Sequence, residues 1–197
     1  MAHRWKVVVA VSIGNSLGVL DLFVVNVAFP DIAADFPSAR LASLSWILNA
    51  YTIVVAALLV PGGRWADLLG RKRTYLTGLG TFTGASVACA VAPSVELLVL
   101  ARAAQAMGAA LVIPSSLALI LAEFPVLERY SAVGAWAAVS GIAASAGPVV
   151  GGLLAEASWR WIFIINVPIG LANPPIASRS CGRVVTPIQG GPTCLGR

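Results

Sequence analysis

Residues 7–29 read VVVAVSIGNSLGVLDLFVVNVAF. As an α-helix this stretch would be about 35 Å long, enough to cross the roughly 30 Å hydrocarbon layer of a bilayer. It is too long, and too polar in its second half, for a cleaved leader, and no small-residue cleavage site closes it, so it reads as a retained helix. Its acidic residue carries the most information. A charge at the centre of a membrane helix costs about 2.5 to 3.5 kcal/mol, so Asp21 is expected to face the interior of a helix bundle. An interfacial position near the outer end of the helix is the alternative. Asn26, five residues on, is read as lying on nearly the same face.

Outward from this segment, apolar runs recur at about 44–60, 75–92, 97–121 and 131–154, with a shorter one at 161–171. The 197-residue chain is 58% hydrophobic and only 11% charged, with a mean hydropathy of +0.88, whereas a soluble domain carries about a quarter charged residues. The expected fold class is an all-α membrane protein with five full transmembrane helices and an incomplete sixth, embedded in a lipid bilayer. Pro61-Gly62-Gly63 is expected to end the second span, and Pro93-Ser94 to form a tight turn between antiparallel third and fourth spans.

Arg4 and Lys6 precede the first span, and Arg64, Arg71, Lys72 and Arg73 follow the second. This bias places those ends in the cytoplasm and predicts a multi-pass protein of the cell membrane with a cytoplasmic N-terminus. The formal charge of +5 owes three of its charges to Arg179, Arg183 and Arg197 in the tail, so no nucleic-acid partner is indicated. His3 is the single histidine, and Cys89, Cys181 and Cys194 form no CxxC pair. No catalytic residue, metal site or cofactor is expected, and a membrane-embedded enzyme is disfavoured.

Three further patterns carry chemistry. Arg102 sits early in the fourth span, either inside the bundle or snorkelling to the outer headgroups. Residues 63–73 read GRWADLLGRKR: Gly63 and Gly70 bracket what reads as a tight turn, Asp67 lies between them, and Arg71 and Lys72 follow. Asp67 can pair with Arg71 or face a helix N-terminus, an interaction of about 0.3 to 1 kcal/mol that can latch a two-state gate. Residues 141–152 read GIAASAGPVVGG, a helix expected to bend at Pro148 and to present a nearly side-chain-free face. Glycines four apart, Gly14 with Gly18, Gly80 with Gly84 and Gly147 with Gly151, allow close helix packing in lipid.

Taken in order along the chain, these motifs resemble those of the major facilitator superfamily, and within it the fourteen-helix drug:proton antiporters. Gly63, Asp67, Gly70, Arg71 and Lys72 match the motif between helices two and three, with Leu68 in place of the usual basic residue. Residues 100–110 keep Arg102, Gln105 and Gly108 of the helix-four motif, with Ala106 where glycine is usual. Gly134, Gly147, Pro148, Gly151 and Gly152 match the antiporter motif of helix five, with Ala143 replacing one glycine. Asp21 to Pro30 is similar to the first-helix motif, while Trp46, Tyr51 and the run Trp159-Arg160-Trp161-Ile162-Phe163 with Asn166, Pro168 and Gly170 match the fourteen-helix branch. The resemblance covers residues 5 to 171.

It implies the N-terminal half of a carrier built from two six-helix halves that rock about a central cavity. The expected activity is proton-coupled efflux of amphipathic drugs or toxic compounds, with a small-molecule substrate and protons as partners. A C-terminal half or a second copy would be needed to complete the cavity. By the same resemblance, Asp21, Asn26 and Arg102 form the proton or substrate site, Arg102 modulating the protonation of Asp21. Asp67 and Arg71 form a gate latch, and helix five contributes to the interface between halves. The alternatives are a truncated, transport-inactive protein and a major facilitator carrier for another small solute. From about Ala172 onward the pattern ceases. Asn173-Pro174-Pro175 is expected to stop the sixth helix, and residues 173–197 are read as an irregular tail arising from a frameshift or a mistaken gene end.

Overall fold

In a computed structural model, residues 2–180 are described, and they are helical nearly throughout. The first helix, α1, spans Ala2–Val27. Pro30 cannot extend it but suits the first turn of a new helix, and α2, Phe29–Asp35, begins there. The long helices α3 (Leu41–Leu69), α4 (Arg71–Ala90), α5 (Val95–Glu123) and α6 (Arg129–Ala157) follow, with a 3-10 turn at Val126–Glu128 before α6. A short α7, Trp161–Ile164, and α8, Asn166–Ser180, end the described chain.

Among the described residues, four helical stretches are long and apolar enough to cross a membrane: Arg4–Val27, Leu41–Leu69, Val95–Glu123 and Val126–Ala157. The expected third span corresponds to α4, whose 20 residues make about 30 Å but include several hydroxyls. Those hydroxyls are accommodated by bonding back to their own helix, Thr83 Oγ1 to Leu79 O at 2.8 Å and Ser86 Oγ to Phe82 O at 2.8 Å. Helix α4 packs between α5 and α8, and Tyr75, Leu79 and Phe82 are buried there.

Helices approach one another through their glycines. A Cβ on Gly62 would collide with the carbonyl oxygen of Ala110 in α5, and one on Gly108 would lie 2.7 Å from Gly78 O. One on Gly147 would meet Phe23 Cβ at 2.6 Å, and one on Gly151 would lie 3.2 Å from Val24 Cα, so α6 lies directly against α1. Gly14 and Gly18 also face neighbours, Tyr75 and Ala109, whereas no described residue lies within 4 Å of a Cβ built on Gly80 or Gly84, so that pair makes no helix contact among the described residues.

Two expected helix ends are corrected. Pro61-Gly62-Gly63 does not end the second span, because α3 runs on to Leu69 with Pro61 inside it. A proline deletes one backbone bond, a loss that the close packing of Gly62 on α5 outweighs. Residues 64–69 are therefore helix, and the turn is confined to Gly70, whose φ of 97° favours a residue without Cβ.

The sixth helix likewise does not stop at Asn173, and the backbone of α8 continues through the tandem prolines to Ser180. Its direction is set before them. Asn173 is 2% exposed, its Nδ2 donates to Ala10 O at 2.7 Å and its Oδ1 accepts from the Tyr75 hydroxyl at 2.9 Å, which pins α8 to α1 and α4. Prolines also hold the helical φ that such a continuation needs. The rest of the expected irregular tail, residues 181–197, lies outside the described residues.

The glycine contacts predict a contrast in thermal unfolding of the purified protein in detergent. Gly62→Ala should destabilise by about 1 to 3 kcal/mol, because the colliding atom is backbone and cannot rotate away. Gly84→Ala should stay within about 0.5 kcal/mol of the parent or gain slightly from helix propensity. Equal melting of the two variants would contradict the packing described.

Candidate functional site

Asp21 and Arg102 are both fully buried, and they meet at the crossing of α1 and α5. Arg102 Nη1 donates to Asp21 Oδ2 in a very short ion pair. The other carboxylate oxygen, Oδ1, accepts from Gln105 Nε2 at 2.9 Å and from Asn166 Nδ2 at 2.9 Å. Gln105 is three residues from Arg102, hence on the same face of α5, and its Oε1 accepts from Arg102 Nη1 at 2.8 Å. Its Nε2 also donates to Ser86 Oγ of α4 at 2.9 Å.

The guanidinium is further held from α3. Nε donates to the Ile47 carbonyl at 3.2 Å, and the group lies 4.2 Å from the centre of the Tyr51 ring, with Phe163 at 5.8 Å on another side. Tyr51 is fixed in turn by donating its hydroxyl to Gly18 O at 3.0 Å. Helices α1, α3, α5 and α8 thus supply hydrogen-bonding groups to one buried charge pair, and α4 supports Gln105 through Ser86. Arg102 does not reach outward from the bundle, and Asp21 faces its interior.

Asn26 is not part of the cluster. Five residues turn a helix by about 500°, leaving Asn26 about 140° from Asp21, and it is exposed, with Nδ2 bonded back to Leu22 O at 2.6 Å. The expectation of one shared face is corrected on that ground. Gln105, Asn166, Ser86 and the Ile47 carbonyl are the members that sequence reasoning did not assign to the site. The signal for Gln105 was its i+3 spacing from Arg102, and for Asn166 its polarity within an apolar run just before Pro168.

The motif at Gly70 forms a second, exposed site. Asp67 Oδ1 lies 3.7 Å from Arg71 Nη2, with the Asp67 side chain 66% exposed, so the pair contributes about 0 to 1 kcal/mol. Arg71 also donates from Nη1 to Ala118 O of α5 at 3.1 Å. Lys72 lies in the first turn of α4. Gly63 sits inside α3, 3.6 Å from Pro114 at its would-be Cβ, and does not bracket a turn. Nearby, Arg4 pairs with Glu128 at 3.7 Å and Trp5 stacks edge-on against Phe124 at 5.8 Å, so the start of α1 is tied to the α5–α6 junction at the same end of the bundle.

The glycine motif of α6 divides by face. Gly147 and Gly151 press on α1, while Gly134 and Gly152 have nothing within 4 Å of a would-be Cβ and Pro148 is exposed inside the helix. At the end of the bundle opposite Gly70, Asp35 Oδ2 accepts from the Trp159 indole at 2.7 Å and from Arg160 Nη1 at 2.9 Å, and Arg160 also stacks 4.3 Å over the Trp159 ring. The Trp159 hydrogen bond, and after it the Arg160 guanidinium, hold the Asp35 carboxyl below its ordinary value of 3.8.

Two outcomes are expected from these contacts. Arg102→Leu leaves a buried carboxylate without its cation and should destabilise by about 3 to 5 kcal/mol, most of which the double variant Asp21→Asn with Arg102→Leu recovers; additive losses in a melting cycle would contradict the pairing. For Asp35 the folded-state pKa is the lower one. Its contribution is therefore complete above 3.8 and is lost as pH falls through the depressed folded value. Fluorescence assigned to Trp159 by comparison with Trp159→Phe should change with a midpoint below pH 3.8, and Asp35→Asn should abolish that transition.

Comparison with known proteins agrees with this architecture. The chain is 42% identical over 164 residues to the multidrug resistance protein Stp of Mycobacterium tuberculosis, covering 82% of this chain and 30% of that protein. It is 41% identical over 165 residues to the methylenomycin A resistance protein of Streptomyces coelicolor, covering 83% and 34%. The chain thus spans about a third of the length of these relatives. Its fold matches the crystal structure of a bacterial homologue of the human lysosomal transporter Spinster, in an inward-facing, unoccupied conformation, with a TM-score of 0.73 at 20% identity over 90% of this chain and 42% of that one. The family model described as Major Facilitator Superfamily matches residues 11–179, and the chain belongs to that superfamily of multi-pass membrane transporters.

Proposed function

We propose that the chain forms the N-terminal half of a proton-coupled exporter of amphipathic drugs or toxic compounds, acting with a C-terminal half or a second copy. The observation that carries the reading is Asp21, a carboxylate with no exposure inside a bundle of membrane-crossing helices. A charge placed there at such cost marks a functional site by default. The names of the relatives, multidrug resistance and methylenomycin A resistance, support export of foreign compounds.

Asp21 is the proton site in this reading rather than a contact for a cationic substrate, because both its oxygens are already taken by protein donors. Arg102 competes with a proton for the carboxylate, so loading Asp21 loosens α1 from α5, and that is the step through which protonation can drive a change of conformation. Asp67 with Arg71 is the gate latch: an exposed pair of small net strength suits a contact that must break in every cycle. The end of the bundle carrying Arg4, Lys6, Arg71, Lys72 and Arg73 faces the cytoplasm of the cell in this reading, in keeping with the basic-residue bias. Helices α3 and α6 leave most of their apolar surface uncovered, and the opposing half covers it.

The test is pH-gradient-driven export of a fluorescent amphipathic cation from vesicles carrying this half together with a C-terminal half. Asp21→Asn should reduce gradient-driven export by about tenfold or more while substrate binding persists. Coupling that is unchanged in Asp21→Asn at every pH would remove the assignment.

A further inference from the structure

Helix α7 ends at Ile164 and α8 begins at Asn166, with Pro168 as the third residue of the new helix. In an unbroken helix Pro168 would leave the Ile164 carbonyl without a donor, whereas in a first turn its missing N–H has no intrahelical role. The break therefore falls where Pro168 tolerates it, and Asn166 is the first residue beyond. Its side chain is fully buried and donates Nδ2 to Asp21 Oδ1 at 2.9 Å.

The segment leading to Asn166 is anchored at both ends. Trp159, 2% exposed, donates to Asp35 at 2.7 Å. Phe163 packs edge-on to Trp159 with ring centres 6.1 Å apart and lies 5.8 Å from the Arg102 guanidinium. Through the Trp159–Phe163 ring contact the segment connects the Asp35 carboxylate with Asn166 and the Asp21 carboxylate. Within Asn166, only Nδ2 is engaged; its Oδ1 is buried without a partner among the described residues, as is Arg102 Nη2. A buried amide with one unmatched end is costly, and in a folded protein it calls for an explanation.

We infer that Asn166 is a positioning residue for the buried carboxylate, a third donor that orients Asp21 toward Arg102 and binds α8 to the α1–α5 pair. The Trp159–Asn166 segment is the strut that holds this donor in place. Movement of α8 then changes the number of donors on Asp21, which connects the outer Asp35 clamp with the buried pair. The importance of this for export rests on the reading of Asp21 as the proton site; the hydrogen bond itself does not.

The test uses the full chain in lipid vesicles with 13C-labelled aspartate. The infrared carboxylate bands of Asp21 are those lost in Asp21→Asn. Asn166→Ala should shift them, and Trp161→Leu, an exposed neighbour on the same segment, should not. Should Asn166→Ala fail to fold, solid-state NMR on the unsubstituted chain probes the same contact: dephasing of Asp21 13Cγ by an asparagine side-chain 15N is expected, because Asn166 is the asparagine in contact with it. Unshifted bands in a folded Asn166→Ala, or no dephasing, would overturn the inference. Failure of the proton reading would show separately, as intact coupling in Asp21→Asn while Asn166→Ala still shifts the Asp21 bands.

Discussion

Removing a carboxylate and a guanidinium from water costs several kcal/mol per ion, and the arrangement around Asp21 and Arg102 is organised to offset that cost. The carboxylate receives three donors, and the guanidinium receives a carboxylate, an amide oxygen, a backbone carbonyl and an aromatic face. Those partners come from α1, α3, α5 and α8, with α4 supporting Gln105 through Ser86, so satisfying one charge pair fixes how these elements cross. Such a pair gives little net stability compared with well-packed apolar residues. In the proposed function, that cost is met because the pair holds a charge that can be gained or lost inside the bundle.

Around that centre, cohesion depends on close backbone approach. In lipid the apolar side chains of two helices gain little from leaving their surroundings, and tight packing over small residues takes over. Gly62 on Ala110, Gly108 on Gly78 and Phe82, and Gly147 and Gly151 on Phe23 and Val24 are the points where this occurs. The same helices carry glycines that meet nothing, Gly134 and Gly152 on α6. One face of α6 is thus committed to α1, while the glycines of the other have no neighbour among the described residues.

The two ends of the bundle are fastened differently. At the Gly70 end the ties include exposed ion pairs, a hydrogen bond from Arg71 to a helix carbonyl and the Trp5–Phe124 ring contact. At the other end Asp35 is gripped by an indole and a guanidinium that also stack on each other. The closer contacts, 2.7 and 2.9 Å, sit over the segment that reaches Asn166, although that ion pair is as exposed as those at the Gly70 end.

The amino-acid sequence by itself determined the helical membrane class, the approximate spans, the interior position of Asp21 and the motif order, because hydrocarbon leaves a spanning segment few alternatives and a lone charge within it must find a partner. Local signals were misleading where packing overrides them. Pro61 and Pro174-Pro175 read as stops, yet α3 is held against α5 at Gly62 and α8 is pinned by Asn173, so both helices continue. Asn26 read as a companion of Asp21, yet the rotation of an α-helix sends it to another face. Only the tertiary structure decided which groups hold the carboxylate. Arg102, Gln105 and Asn166 lie 81, 84 and 145 residues from Asp21 in sequence, and no periodicity within a single helix can encode which faces of separate helices will meet.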